Sequence, residues 1–229
     1  MATTEILHQL WAWTPFLLEG FGWNVWIATC ASVMGCVVGA LLVWLQLSKR
    51  PALARTGVLL AESFYRIPTL ALMFYCAALL PPEFEWPGSH TVHVFPPWIK
   101  ATIALSAAQI GFTAQNLGPA LQRWRNGEHS AALLFIPNLG TSLLITIIAS
   151  SGASLVGVSE IVSRCNKIIS ALQNTDLLVP LYLYASLYFL FFCYPLTYAM
   201  RRLRAAILQR LERHRNSQGA HSGADPRPS

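Results

Sequence analysis

Charges punctuate this chain at wide intervals and leave long apolar stretches between them. No Asp, Glu, Lys or Arg falls between Glu19 and Lys49, Lys100 and Arg123, Glu128 and Glu160, or Asp176 and Arg201. An apolar run of about 18 residues or more is long enough to cross a bilayer as a helix. The stretch from Arg66 to Glu83 is shorter, but it continues back through residues 56–61 with only Glu62 and Arg66 intervening, which makes five candidate spans. Lipid cannot satisfy an exposed backbone, so spans must be helices or a closed barrel, and unbroken apolar runs exclude a barrel's alternation. The pattern predicts an all-α membrane protein with spans near residues 23–47, 53–80, 98–124, 135–149 and 177–203. A polar break at 150–154 and a short helical stretch at 157–171 precede the fifth span. That span continues as a basic amphipathic helix ending near His214. The expected divisions are an interfacial N-terminus (1–21), a transmembrane domain (22–203), a basic helix (204–215) and a disordered Gly/Pro/Ser-rich tail (216–229).

Composition agrees. The 229 residues are 54% hydrophobic and 11% charged, against about 25% charged in a soluble domain. Such a chain cannot cover a soluble globule with polar surface, which argues against a soluble enzyme. Residues 1–19 contain no Lys or Arg, so the basic region of a signal peptide is missing. Trp11, Trp13 and Phe16 resemble an aromatic collar at headgroup depth. Cys30, Cys36, Cys76, Cys165 and Cys193 show no CxxC spacing and read as small apolar residues, with neither disulfide nor metal site.

The net charge of +6 does not point to nucleic acid, because no basic face is interleaved with exposed aromatics. Its placement is topological. The first connection carries Lys49, Arg50 and Arg55. The second carries no Lys or Arg until Lys100, just past its end. The third carries Arg123 and Arg125, and the tail Arg201, Arg202, Arg204, Arg210, Arg213 and Arg215. Basic residues collect on the cytoplasmic side, so the N-terminus is expected outside and the C-terminus inside. Arg164 and Lys167, on the outer side, are an exception.

Polar chemistry enters the spans at few places. Glu62 and Arg66 are four residues apart with the acid first, a spacing that pairs them on one helix face; an ionisable pair inside a span is a candidate functional feature. Ser106, Gln109, Thr113 and Asn116 step by three, four and three and share one face of the third span, with Gln115 on the neighbouring face. The stripe fits a solute pathway or hydrogen bonding between helices. Ser142, Thr146 and Ser150 repeat at intervals of four and read as packing contacts. His90 and His93 lack a third ligand, so a solvated loop is the better reading. No phosphate loop, HExxH or GxSxG occurs, and no enzyme is expected.

Five segments, in order, resemble the five-helix type I membrane permease subunits of ABC importers for polar amino acids and opines. They are Leu17-Leu18-Glu19-Gly20 ahead of a long apolar helix, Glu62-Ser63-Phe64-Tyr65-Arg66-Ile67-Pro68-Thr69-Leu70, Ala101-Thr102-Ile103-Ala104-Leu105-Ser106, Ile136-Pro137-Asn138-Leu139-Gly140 and Gly157-Val158-Ser159-Glu160-Ile161. The resemblance covers residues 16–214. It implies a multi-pass protein of the inner membrane that pairs with a second permease subunit. A cytoplasmic ATPase dimer would bind all the ATP, so this chain needs no cofactor of its own, and a periplasmic substrate-binding protein would deliver the solute.

Three departures matter. The family's Ala-Glu…Arg-Gly pattern reads Ala114-Gln115…Gly118-Pro119 here, without either charge. Its Gly-x-x-Glu-Ala-Ala coupling motif reads Gly127-Glu128-His129-Ser130-Ala131-Ala132, followed by only Leu133, Leu134 and Phe135 before Ile136. By resemblance, Gly127, Glu128, Ala131 and Ala132 would be the ATPase-coupling residues on a shortened segment. Its Lys-Asp-Thr-Ser run reads Ile148-Ala149-Ser150-Ser151. These losses imply one half of a permease heterodimer whose partner holds the intact loop and the charged substrate site. The rival is a structural or regulatory membrane subunit that transports nothing.

Overall fold

The computed structural model describes residues 3–85 and 92–222. A short helix α1 (Thr3–Ala12) leads into α2 (Thr14–Gln46), whose 33 residues reach ~50 Å at 1.5 Å per residue. Then follow α3 (Pro51–Arg66), α4 (Thr69–Leu79), a hairpin of β1 (Glu83–Glu85) and β2 (Val92–Val94), and α5 (Pro97–Arg125). Next come the single turn α6 (His129–Ala132), α7 (Phe135–Ala149), a 3-10 turn (Ser150–Val156), α8 (Ile161–Leu172), a second 3-10 turn (Thr175–Leu177) and the long α9 (Leu178–Ser222). Pro51 and Pro97 stand in the first turns of α3 and α5, where a missing N–H costs nothing and the fixed φ suits the helix.

The stretch expected as one span at residues 53–80 is broken. α3 and α4 meet at 93°. Pro68 disfavours a helical conformation at the preceding residue, and Ile67 and Pro68 are both extended, with ψ of 124° and 119°. Apolar residues continue on both sides of the break, so hydropathy alone does not reveal it. The connection to α5 holds the one strand pair among the described residues, the antiparallel hairpin with Glu83 opposite Val94. His90 lies outside the described residues, and only the backbone of His93 is described, as the partner of Phe84.

Among the described residues three helices are long and apolar enough to cross a membrane, namely α2, the unit from α6 through the first 3-10 turn (His129–Val156), and α9 within Leu178–Arg213. The bent α3–α4 pair makes a fourth if it counts as one crossing. α5 is not among them: its polar stripe dilutes its hydropathy, and it sits at the centre of the fold, where protein and not lipid surrounds it. α2 and α5 share the largest helix–helix interface, α3 and α4 flank α5, α7 packs on α2 and α9, and α8 on α2 and α9.

Close approach sets the α2–α5 interface. A Cβ on Gly35 would lie 2.5 Å from Gln109 Cβ, and one on Gly39 2.6 Å from Thr113 Cβ, so only glycine lets the two backbones come this near. One apolar cluster joins Ile27 and Ala31 to Met73, Leu105 and Val156. A second joins Leu17 and Phe21 to Ile161, Cys165 and Leu181. The outer face of α9 instead exposes Leu183, Leu190, Phe191 and Tyr194, as a lipid-facing helix does.

Candidate functional site

The polar stripe of α5 divides into a dry part and an open part. Ser106, Gln109 and Thr113 are 2%, 1% and 1% exposed. The Ser106 hydroxyl donates within its own helix to Ile103 O. Gln109 lies across Gly35 of α2, and its Oε1 accepts from the Ser142 hydroxyl of α7 at 2.6 Å. Thr113 lies across Gly39 and reaches Cys36 Sγ at 3.7 Å. The Gln109 side-chain nitrogen is buried without a hydrogen-bond partner, as is the Ser32 hydroxyl of α2. Unpaired buried donors are uncommon and destabilising.

Three residues past Thr113 the stripe reaches open space. Gln115 and Asn116 line a cleft of about 140 Å³ between α5, α6 and α7. Asn138, Arg123 and Ala131 also face it, floored by Pro119, Leu134 and Phe135. The Asn116 amide nitrogen donates to Phe112 O at 2.8 Å, so part of its donor capacity is spent within α5. The Gln115 and Asn138 carboxamides and the Arg123 guanidinium, with no acid among the lining residues, supply donors that suit an anionic or carboxylate-bearing group.

Below the cleft the chain turns sharply. Gly127 has φ of 84°, a left-handed conformation that favours glycine. Glu128 N–H donates back to Arg123 O at 2.9 Å, and the Trp124 and His129 rings meet edge-on at 4.4 Å. Of the four expected coupling residues, Ala132 is buried, Ala131 is half-buried against the cleft, and Gly127 and Glu128 are exposed. Glu62 and Arg66 pair at 3.1 Å across one turn of α3. They stand apart from the cleft and are both exposed, at 48% and 77% of their side chains.

A buried polar cluster centres on Asn24, which no spacing picks out, and draws in Ser150, which spacing reads as a packing contact. Asn24 of α2, Ser150 and Glu160 are all fully buried. The Asn24 amide nitrogen donates to Ser150 Oγ and to Glu160 Oε2, each at 3.1 Å, and its oxygen accepts from Ile161 N–H at 3.2 Å. Glu160 caps α8 by accepting from Val162 and Ser163 N–H at 2.9 and 2.8 Å. Burial pushes its carboxyl above the ordinary value, while the two N–H groups and Asn24 pull it down.

One turn on, Arg164 grips Glu19 with both Nη atoms, at 2.8 and 2.7 Å, and donates to Phe16 O. Gly20 makes room, since a Cβ there would lie 2.6 Å from Arg164 Cδ. The basic residue that broke the charge asymmetry is therefore neutralised by a carboxylate. The available signal was Asn24 itself, a lone amide in the charge-free run after Glu19.

No family model and no curated protein matches the chain. Solved structures do. A chain from an amino acid ABC transporter crystallised with histidines superposes with a TM-score of 0.67 at 15% identity, over 85% of this chain and 97% of that one. A chain of the MetNI methionine ABC transporter, from inward-facing crystals, gives 0.51 at 16% identity, over 83% and 95%. The fold is that of an ABC transporter permease. With its apolar helices, this describes a multi-pass membrane protein.

Proposed function

We propose that the chain is a transmembrane permease subunit of an ATP-driven importer for a polar amino acid. It is one half of a permease heterodimer in the inner membrane, and a periplasmic binding protein supplies its solute. The chain crosses the membrane five times, with its N-terminus outside and C-terminus inside, counting the α3–α4 pair and α5 as crossings. Separate cytoplasmic ATPases bind the ATP.

One observation carries this reading. A polar stripe is built into the central helix of a permease fold, and its inner end opens on a donor-bearing cleft against the turn that the resemblance at Gly127–Ala132 assigns to ATPase coupling. Gln115 and Asn116 meet the solute. Ser106, Gln109 and Thr113, dry against α2 in this arrangement, join the route when α2 and α5 part in the assembled complex. The cleft favours a solute that carries a carboxylate. Loss of the family's paired charges at Gln115 and Gly118 supports a division of labour in which the partner permease makes the charged contacts.

The test is uptake of radiolabelled amino acids by the complete complex in vesicles. Replacing Gln109 and Asn116 together with Leu removes amide groups at similar bulk. Uptake is expected to fall at least ~10-fold while assembly persists, since each lost hydrogen bond to a charged solute is worth about 1.5–3 kcal/mol. Full uptake by the double variant assigns the stripe to helix packing. A complex that moves no amino acid with the native chain favours the structural or regulatory subunit instead.

A further inference from the structure

Resting on that reading and its orientation, we propose that α6 does not receive the ATPase alone: the end of α9, from Arg201 onward, forms with it one composite docking surface for an acidic face of the ATPase subunit. α6 is four residues long, about 6 Å, too short to fill a groove by itself.

The geometry places α9 beside it. α9 begins against α8, which follows α7, and ends against α6, which precedes α7, so α7 and α9 run antiparallel. They touch where a Cβ on Gly140 would overlap the Met200 sulfur. Seven residues back from Gly140 is Leu133, the residue after α6. Seven residues on from Met200 is Ile207, which is 7% exposed. Met200, Leu203, Ile207 and Leu211 recur at steps of three and four, one stripe on one face. The helix continues to Ser222, ~22 Å beyond Ile207 at 1.5 Å per residue. α9 therefore overhangs α6, and a partner seated on α6 lies along α9.

The charge of the overhang selects the partner. Arg201, Arg202, Arg204, Arg210 and Arg213 are exposed, and the one acid between Arg201 and Arg213 is Glu212. Headgroups account for the first of these, because the polar layer is about 5–7 Å deep on each side and screening confines its field to about 8 Å more. Together these reach about 13–15 Å; Arg210 lies ~14 Å past Arg201 along the axis, at their edge, and Arg213 ~18 Å, beyond them. That surface faces protein, and an acidic one.

Photoreactive benzoylphenylalanine placed in the full-length chain at Ser130 of α6, or at exposed Leu208 of α9, tests this in cells, with adducts identified by mass spectrometry. Both positions should capture the same phosphate-loop ATPase. An exposed charge contact is worth a factor of about two to five, so changing Arg204, Arg210 and Arg213 together to Gln should lower the Leu208 adduct roughly tenfold, whereas Lys at all three should preserve it. Raising salt on membranes carrying the native arginines should lower it as well, a measurement that needs no variant to fold. Capture of the ATPase from Ser130 only, with phospholipid or nothing at Leu208, overturns the composite surface and leaves the importer reading standing. An adduct indifferent to both arginine charge and salt overturns the role of charge. Capture of no ATPase from either position removes the importer reading with it.

Discussion

Asn24→Leu isolates the buried clasp between α2 and α8. Asn24 makes three hydrogen bonds, two donated to Ser150 and Glu160 and one accepted from Ile161 N–H. Leucine makes none. A hydrogen bond is worth about 1 kcal/mol net in proteins and nearer 0.6 between membrane helices, so the three supply about 2–3 kcal/mol. The variant also orphans the Ile161 N–H at a fully buried residue, which costs about 1–3 kcal/mol. Added apolar contact from Leu offsets part of this, and a net loss of about 3 kcal/mol is expected.

Ser150→Ala supplies the comparison. It removes one acceptor while Asn24 keeps Glu160, and should lose about 1 kcal/mol or less. Reversible unfolding in mixed micelles, titrated with dodecyl sulfate and followed by near-ultraviolet circular dichroism, reads both differences. Asn24→Leu should also raise protease access between α8 and α9, because the clasp is one of three attachments of α8, beside the Arg164–Glu19 pair and the Leu17–Ile161–Cys165 cluster. A loss below about 0.5 kcal/mol for Asn24→Leu, or equal losses for the two variants, would falsify the idea that Asn24 is the hub.

Glu160 gives a pH signature. Burial raises its folded-state value above the unfolded one, so its contribution is fully present below the ordinary carboxylate range and is lost as pH rises through the raised value. Unfolding free energy should decline across that window in the native chain, and Glu160→Gln should flatten the decline even if it lowers stability throughout; an unchanged slope assigns the titration elsewhere. The Glu62–Arg66 pair is exposed, so a double-mutant cycle should give about 0.3–0.5 kcal/mol, and a coupling several times larger would mean that lipid or a partner keeps water from it. In a background without native cysteines, Glu83→Cys should react with an impermeant maleimide in intact cells and Gln209→Cys only after permeabilisation; the reverse pattern inverts the orientation.

The parts legible in sequence are those governed by local pattern. α7 occupies Phe135–Ala149, where the apolar run and Pro137 placed it. The spacing of Ser106, Gln109 and Thr113 correctly puts them on one face, but spacing cannot say what that face meets, and Gly35 and Gly39 of α2 decide that. The clasp is harder still. Asn24 and Glu160 are 136 residues apart, and neither carries a periodicity that points to the other. The break at Pro68 hid because hydropathy counts apolar residues and not backbone direction. α9 runs to Ser222, past the expected end near His214 and into the tail expected to be disordered, against the weak helix propensity of Asn216, Ser217 and Gly219.

The bend at Pro68 bears on how the chain enters a membrane at all. α3 and α4 hold 16 and 11 residues, ~24 and ~17 Å of helix, each short of the ~30 Å of hydrocarbon. Set at 93°, they cannot cross as one straight span. An insertion machinery that releases segments to lipid by their apolar length would find neither half complete. Both pack on α5, which is synthesised after them. Integration of this region therefore waits on later sequence, and a ribosome stalled before residue 97 would leave α3 with α2 alone and α4 without its main partner, α5.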